Sequence, residues 1–194
     1  MIRRLDELWG TSFPAFWLLL AACVYFAIMA ARLTVIDVRH HLLPNRIVFP
    51  SYAIAGLLLL GAAIAVALGG GAAGTLSGGG AAGNVPDGGA AFLGVPALGI
   101  VAGGVVLWLF YFILRLVYPP GMGFGDVKLA GVLGLYLGYL GWAHVFAGTF
   151  AAFLFGGLWS LGLLIARRGT LKSAIPFGPF MLAGAAAAML ALPA

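Results

Sequence analysis

The chain has 194 residues, of which 63% are hydrophobic and 8% are charged. This composition excludes an ordinary soluble domain, in which about 25% of residues are charged, and predicts a membrane protein. The net charge of +5 does not indicate nucleic-acid binding, because the Lys and Arg residues flank apolar runs and form no recognition motif. The lone cysteine, Cys23, excludes a disulfide framework and a cysteine-ligated zinc site.

The amino-terminal part of the chain predicts two membrane spans. Residues 1–12 form a polar segment, and an apolar run follows over residues 13–35. This run reaches the roughly 20 residues that a spanning helix needs and is too long for a signal peptide, so it predicts a retained helix. Residues 36–46 are polar and contain Pro44-Asn45, which predicts a short loop. A second span is predicted over residues 47–68.

The rest of the chain predicts four further helices. Residues 69–90 are rich in glycine and predict a flexible external loop. The later helices are expected over residues 91–117, 126–140 and 143–166, and from Pro176 nearly to the end of the chain. We therefore expect an all-α polytopic membrane protein with about six transmembrane helices, which form a single domain over residues 13–194.

A polar turn separates the third and fourth predicted spans. It reads Gly121-Met122-Gly123-Phe124-Gly125-Asp126-Val127-Lys128. A carboxylate near hydrocarbon costs about 2.5–3.5 kcal/mol on insertion scales, so Asp126 is expected to have a function. Its glycines allow a tight turn and close approach to another chain. The alternative is structural: a helix begins at Gly125, and Asp126 accepts hydrogen bonds from its free N–H groups.

The distribution of basic residues predicts the orientation in the membrane. Arg3 and Arg4 lie on one side of the six predicted spans. The opposite side carries the other eight basic residues: Arg32, Arg39, Arg46, Arg115, Lys128, Arg167, Arg168 and Lys172. Since cytoplasmic loops are enriched in Lys and Arg, the second side is predicted to be cytoplasmic and both termini to be outside.

Asp37 is the one other acid on the predicted cytoplasmic side. It meets Asp126 only if the first and fourth spans are neighbours. Two carboxylates about 4 Å apart repel by about 4 kcal/mol at an effective dielectric constant near 20, or about three pKa units. Such a pair shares one proton, as acid-base hydrolysis by paired aspartates requires. Helix dipoles favour Asp126, at a helix start, as the base and Asp37, after a helix end, as the acid.

Other polar and small residues predict structural roles. His40 and His41 are adjacent but lack further ligands nearby, so solvated loop residues are favoured over a metal site. Ala130, Gly134 and Gly138 recur every four positions. They share one helix face, which predicts close helix packing.

Three segments in order resemble the signatures of the type IV prepilin peptidase family. They are Asp37 with Leu43-Pro44-Asn45, then Gly123-Phe124-Gly125-Asp126-Val127-Lys128, then Ile175-Pro176-Phe177-Gly178-Pro179-Phe180. The Gly-x-Gly-Asp element is also similar to that of presenilin-type intramembrane aspartyl proteases. The resemblance, over about residues 13–187, implies that Asp37 and Asp126 are catalytic. It implies supporting roles for Gly123, Gly125, Lys128, Pro44, Asn45, Pro176, Gly178 and Pro179.

The resemblance implies an aspartyl endopeptidase of the inner membrane that acts at the cytoplasmic face. Its expected partners are the lipid bilayer and a prepilin-like precursor, from which it removes a short basic leader next to a hydrophobic helix. No metal, other cofactor or nucleic acid is expected. Long family members carry paired Cys-x-x-Cys motifs and an N-methyltransferase activity. Because Cys23 is alone and twelve residues precede the first span, this chain resembles the short, peptidase-only form.

Several alternatives stay open from the sequence. Within the protease class they are a preflagellin-type or a presenilin-like substrate preference. Outside it, a small proton-coupled transporter would place its carboxylates deeper in the bilayer and show internal repeats. A non-catalytic pilus assembly subunit would retain the fold without using the aspartates.

Overall fold

The computed structural model describes residues 1–40, 45–74, 96–119, 122–166 and 176–192. Within these ranges the chain is helical and contains no β-strand, which confirms the predicted all-α class. The helices are α1 (Ile2–Thr11), α2 (Phe13–His40), α3 (Asn45–Gly74), α4 (Pro96–Val117), α5 (Phe124–Leu140), α6 (Trp142–Ile165) and α7 (Gly178–Ala191).

Four helices are long and apolar enough to span a membrane. These candidate spans are Phe13–Arg39, Asn45–Leu68, Ala97–Val117 and Trp142–Ile165. The shorter α7 is also apolar. The 17-residue α5 is mostly buried and packs against α2, α3, α4, α6 and α7. The polytopic all-α architecture is therefore confirmed, with α5 as its central helix.

Both ends of the predicted loop 36–46 differ from the prediction where the structure describes them. Residues 36–40 continue α2, so Asp37 and His40 belong to a helix and not to a loop. Leu33 and Asp37 are both buried and lie four residues apart, so the buried face of α2 extends into the polar sequence. At the other end, α3 already begins at Asn45. Residues 41–44, including Pro44 and His41, lie outside the described residues.

Two other segments that lie outside the predicted spans are helical. Residues 1–12 contain the amphipathic helix α1, because Met1 and Leu8 are buried against the bundle and Asp6 is exposed. The glycine-rich loop was predicted to begin at residue 69, but α3 continues to Gly74. Residues 75–95 lie outside the described part of the chain.

Helices α4 and α5 pack through glycines, as the spacing of small residues predicted. Gly99 and Gly103 of α4 face Gly134 and Gly138 of α5. A Cβ atom at Gly99 would lie 2.7 Å from the carbonyl oxygen of Gly138, and one at Gly103 would lie 2.5 Å from that of Gly134. The two backbones are therefore too close for any side chain between them.

Helix α2 is a direct neighbour of α5. The Tyr136 hydroxyl of α5 donates a hydrogen bond of 3.1 Å to the carbonyl oxygen of Ala22 in α2. The Tyr136 ring also contacts Phe26 edge to face, with 5.1 Å between the ring centroids. The first and fourth predicted spans therefore pack together, which the sequence left undecided.

Helix α1 crosses one end of the bundle. The Met1 amino group donates a hydrogen bond of 2.9 Å to the carbonyl oxygen of Met189, near the end of α7. Ser12, which joins α1 to α2, donates a bond of 3.5 Å from its hydroxyl to the carbonyl oxygen of Ala65 in α3. Since Asp37 and Asp126 lie at the other ends of α2 and α5, α1 and the two aspartates occupy opposite ends of the bundle.

Candidate active site

Asp37 and Asp126 are brought together at one end of the bundle. Asp37 lies in the last turn of α2 and Asp126 in the first turn of α5. Their side chains are 4% and 7% exposed, respectively, and their charges interact. Two acids that are 89 positions apart in the sequence therefore form a buried carboxylate pair.

Burial and the neighbouring charge set the pKa of Asp126. This residue lies in α5, outside the four candidate membrane spans. Burial, and after it the negative charge of Asp37, raise the pKa of Asp126 from 3.8 to about 6, while a hydrogen bond from the Gly123 N–H acts in the opposite direction. Beside an ionised Asp37, a carboxyl group with this pKa exchanges its proton near physiological pH, as a general acid-base catalyst requires.

The glycine turn holds Asp126 as part of a helix cap. The Gly123 N–H donates a hydrogen bond of 3.2 Å to Oδ2 of Asp126, and the Asp126 N–H donates one of 3.2 Å to the Gly123 carbonyl oxygen. The structural alternative for Asp126 therefore holds as well, except that the cap is Gly123 and not Gly125. Gly123 is exposed and Gly125 is half-buried, so the carboxylate lies just below the surface at this turn.

Lys128 connects two of the recognised motifs. Its ammonium group donates a hydrogen bond of 2.9 Å to Oδ1 of Asn45, at the start of α3. The same group lies 4.8 Å from the ring centroid of Phe49 and 4.9 Å from that of Phe124, within the range of cation–π attraction. The structure thus brings Asn45 and Lys128 together, and the ammonium of Lys128 is held against α3.

Tyr111 of α4 is a site neighbour that the sequence did not reveal. It is fully buried and interacts electrostatically with Asp126. Its ring stacks on Phe153 at 5.8 Å between centroids. A tyrosine within an apolar run has no pattern that would mark it, and only the packing of α4 against α5 places it near the carboxylate.

The third motif lies at the same end of the bundle. Phe177 contacts Tyr111, with 6.3 Å between ring centroids. Gly178 is buried and begins α7, while Pro176 and Pro179 are half-buried around this helix start. Through the Phe177 ring, the third motif therefore contacts Tyr111, which is a neighbour of Asp126.

The described residues contain no cluster of three or more His, Cys, Asp or Glu side chains that could hold a metal ion. The described part of the site offers two carboxyl groups, one of which caps a helix.

The sequence matches the type IV leader peptidase family over residues 23–161. This range includes both aspartates and ends before the third motif. No solved structure matches the chain significantly.

Three curated proteins with the name prepilin leader peptidase/N-methyltransferase are similar to this chain. The protein of Aeromonas salmonicida (strain A449) is 31% identical over 166 residues, which cover 85% of this chain and 47% of the relative. That of Burkholderia pseudomallei (strain 1026b) is 29% identical over 174 residues, 87% of this chain and 46% of the relative. The Pseudomonas putida protein is 34% identical over 84 residues, 43% and 28% of the two chains. The chain thus spans about half the length of the first two relatives.

Proposed function

Because the chain belongs to the type IV leader peptidase family, we propose that it is a membrane aspartyl endopeptidase that removes the leader from prepilin-type precursors. The observation that carries this proposal is the buried pair of Asp37 and Asp126. Each aspartate belongs to a motif that resembles the family's signatures, and the two carboxyl groups interact electrostatically. The names of the curated relatives support the substrate class.

The proposed reaction uses the two carboxyl groups in different protonation states. Asp37 is the base and takes a proton from water as the water oxygen bonds to the scissile carbonyl carbon. Asp126 is the acid and gives its proton to the carbonyl oxygen. When the tetrahedral intermediate collapses, the C–N bond breaks, the leaving nitrogen receives the proton held by Asp37, and Asp126 recovers a proton from a hydroxyl group of the intermediate. This assignment reverses the one predicted from the helix dipoles, because burial and the negative charge of Asp37 raise the pKa of Asp126, whereas the dipoles contribute only about 0.3–1 kcal/mol per site.

We propose that the site faces the cytoplasm at the membrane surface. About 20 residues separate Trp17 from Asp37 along α2, so the helix rises about 30 Å between them, the thickness of the hydrocarbon core. Arg39 and Arg46 are exposed near the site end of α2 and α3, in support of the positive-inside orientation. A precursor helix in the bilayer would present its basic leader at this surface.

The position of the aspartates also disfavours the transporter alternative. Both lie in terminal turns of their helices, whereas proton or ion pathways use carboxylates near the middle of the membrane.

The proposal is tested by co-expression of the chain with a candidate prepilin and mass spectrometry of the pilin amino terminus. The parent is expected to remove the leader, while Asp37→Asn and Asp126→Asn each leave the precursor intact. Asp6→Asn is the matched control, because Asp6 is exposed at the opposite end of the bundle. Unchanged processing by either site variant would refute the paired-aspartate mechanism. Cleavage of an unrelated single-span protein, with no cut in any prepilin, would favour a presenilin-like specificity.

A further inference from the structure

The first turns of α3 and α5 are joined by a group of contacts. The Tyr52 hydroxyl donates a hydrogen bond of 2.5 Å to the carbonyl oxygen of Lys128. The Lys128 ammonium in turn binds Asn45 Oδ1 and lies over the Phe49 ring. Asn45, Phe49 and Tyr52 follow one another at spacings of four and three, so they share one face of α3. We call these residues, with Lys128, the α3–α5 clasp.

The clasp lies between the segments that carry the two aspartates. Lys128 is two residues after Asp126 in the first turns of α5. Asn45 begins α3, the helix that follows α2 and Asp37 in the chain. Tyr52 therefore holds the backbone immediately beyond Asp126 against the helix immediately beyond Asp37.

Gly131 gives the Tyr52 hydroxyl room to reach this backbone. A Cβ atom at Gly131 would overlap the hydroxyl and would lie 2.9 Å from Cζ and 3.0 Å from Cε1 of the ring. The ring end of a tyrosine can swing aside, but only by giving up its bond to Lys128. Gly131 and Tyr52 are thus matched in shape, although neither belongs to the three motifs.

We propose that Tyr52 is a positioning residue of the aspartate pair: its hydrogen bond to the Lys128 carbonyl fixes the first turn of α5 so that Asp126 faces Asp37. The inference rests on the proposed function, because only leader cleavage reports on the productive geometry. It adds a residue that acts through the backbone two residues after Asp126.

The arrangement of charges gives this role a specific readout. Among the described residues, the titratable groups that interact with Asp126 include Asp37 from α2 and Tyr111 from α4. The cations at this turn are Arg115 of α4 and Lys128, which both lie over the Phe124 ring, while α3 contributes the neutral Tyr52 contact to Lys128. If the first turn of α5 relaxes, the two carboxylates separate and repel less. The upper apparent pKa of the pair then falls, and the alkaline limb of the pH–activity profile moves to lower pH.

The experiment compares Tyr52→Phe with Tyr136→Phe in the full-length enzyme with a prepilin substrate. Tyr136 is the matched control because it also donates its hydroxyl to a backbone carbonyl and also lies on α5, but its bond is to Ala22, further along the helix from Asp126. For Tyr52→Phe we expect kcat to fall about five- to tenfold with KM nearly unchanged and the alkaline limb to move to lower pH. Tyr136→Phe is expected to lower thermal stability and leave the profile in place.

A parental kcat and pH profile in Tyr52→Phe would overturn the inference, as would an equal shift of the profile in Tyr136→Phe. These outcomes differ from a failure of the proposed function, in which the parent would not cleave prepilin or Asp126→Asn would still cleave it.

Gly131→Ala provides a second test that does not remove a hydroxyl. It is expected to lower kcat and shift the profile like Tyr52→Phe, because Tyr52 must move aside. In a Tyr52→Ala background, where the space is free, Gly131→Ala is expected to add no further loss. Independent, additive effects of the two substitutions would contradict the proposed link between Gly131 and Tyr52.

Discussion

Asp126 performs a structural and an electrostatic role with the same carboxylate. It accepts the Gly123 N–H at the start of α5 and it faces the charge of Asp37. The cap favours the ionised form, whereas burial and the neighbouring carboxylate favour the neutral one. The balance leaves the pKa of Asp126 at about 6, so a small change in either neighbour changes its protonation.

This raised pKa predicts how stability depends on pH. The pKa of Asp126 is about 6 in the folded protein, against 3.8 as its reference value, so the folded state binds the proton more tightly than the unfolded state. The stability from this group is fully present below pH 3.8 and is lost as pH rises through about 6. Asp126→Asn should therefore exceed the parent in free energy of unfolding at pH 7.5, by up to about 3 kcal/mol.

Unfolding in detergent at pH 4.5 and 7.5 checks this prediction. The gap between Asp126→Asn and the parent is expected to be wider at pH 7.5, while Asp6→Asn, at an exposed position, should follow the parent. If the difference in free energy of unfolding between Asp126→Asn and the parent is the same at both pH values, Asp126 is not held in an unfavourable charged state.

At the residue scale the sequence predicted both aspartates of the pair but not the tyrosines near them. Asp37 and Asp126 were detectable because acids are rare in this chain and each lies beside a turn motif. Tyr52 and Tyr111 were not, since each is one aromatic residue within an apolar run. Their positions near the site follow from contacts between α3 or α4 and α5, and the sequence does not specify which helices touch.

Helix packing around α5 depends on the absence of side chains at its contact with α4. Gly103 faces Gly134 and Gly138 so closely that a methyl group would overlap the opposing backbone. Backbone atoms cannot rotate away as a side chain can, so a larger residue must separate the helices.

Substitution of these glycines should therefore lower the free energy of unfolding, whereas substitution of a glycine outside this contact should not. We expect Gly103→Ala to destabilise the protein by about 1–3 kcal/mol, because it forces α4 away from α5. Gly56→Ala is the control, since a Cβ atom at Gly56 in α3 would meet no atom within 4 Å. It should leave stability unchanged or raise it by about 0.5–1 kcal/mol. Thermal unfolding of both variants in detergent measures the difference, and equal stabilities would contradict the close α4–α5 contact.

At the element scale, the apolar runs predicted the positions of the helices better than their ends. The apolar runs located every helix from α2 to α7, because an apolar segment in a membrane must form its backbone hydrogen bonds within itself and is therefore helical. The predicted end at Val35 was wrong, since polar residues continue α2 to His40 while its buried face persists. Helix α1 was not predicted, because its ten residues include four charged ones and cannot form a membrane span, although Leu8 is buried against the bundle.

The whole molecule has two different ends. At one end α1 lies across the bundle, with Trp9 and Phe13 exposed and in contact with each other, as is typical of aromatic residues at a membrane interface. The aspartate pair and the α3–α5 clasp lie at the other end. Because α2 extends from one end to the other, the site is expected at the opposite membrane surface from α1.

This arrangement predicts the topology of the protein in cells. Because cytoplasmic loops are enriched in Lys and Arg, we predict that the site end lies in the cytoplasm and that both chain termini lie outside. An alkaline phosphatase fused after Ala194 should therefore be active, whereas one fused within residues 167–175, between α6 and α7, should be inactive. The reverse pattern would place the aspartates on the outer face and would contradict a cytoplasmic site.

The electrostatic coupling of Asp37 and Asp126 is the claim on which the proposed mechanism depends, and infrared titration of the purified protein measures it directly. The carboxyl band that disappears in Asp126→Asn should titrate near pH 6 in the parent and at lower pH in Asp37→Asn, where the neighbouring charge is gone. If this band has the same midpoint in the parent and in Asp37→Asn, the two aspartates do not share a site.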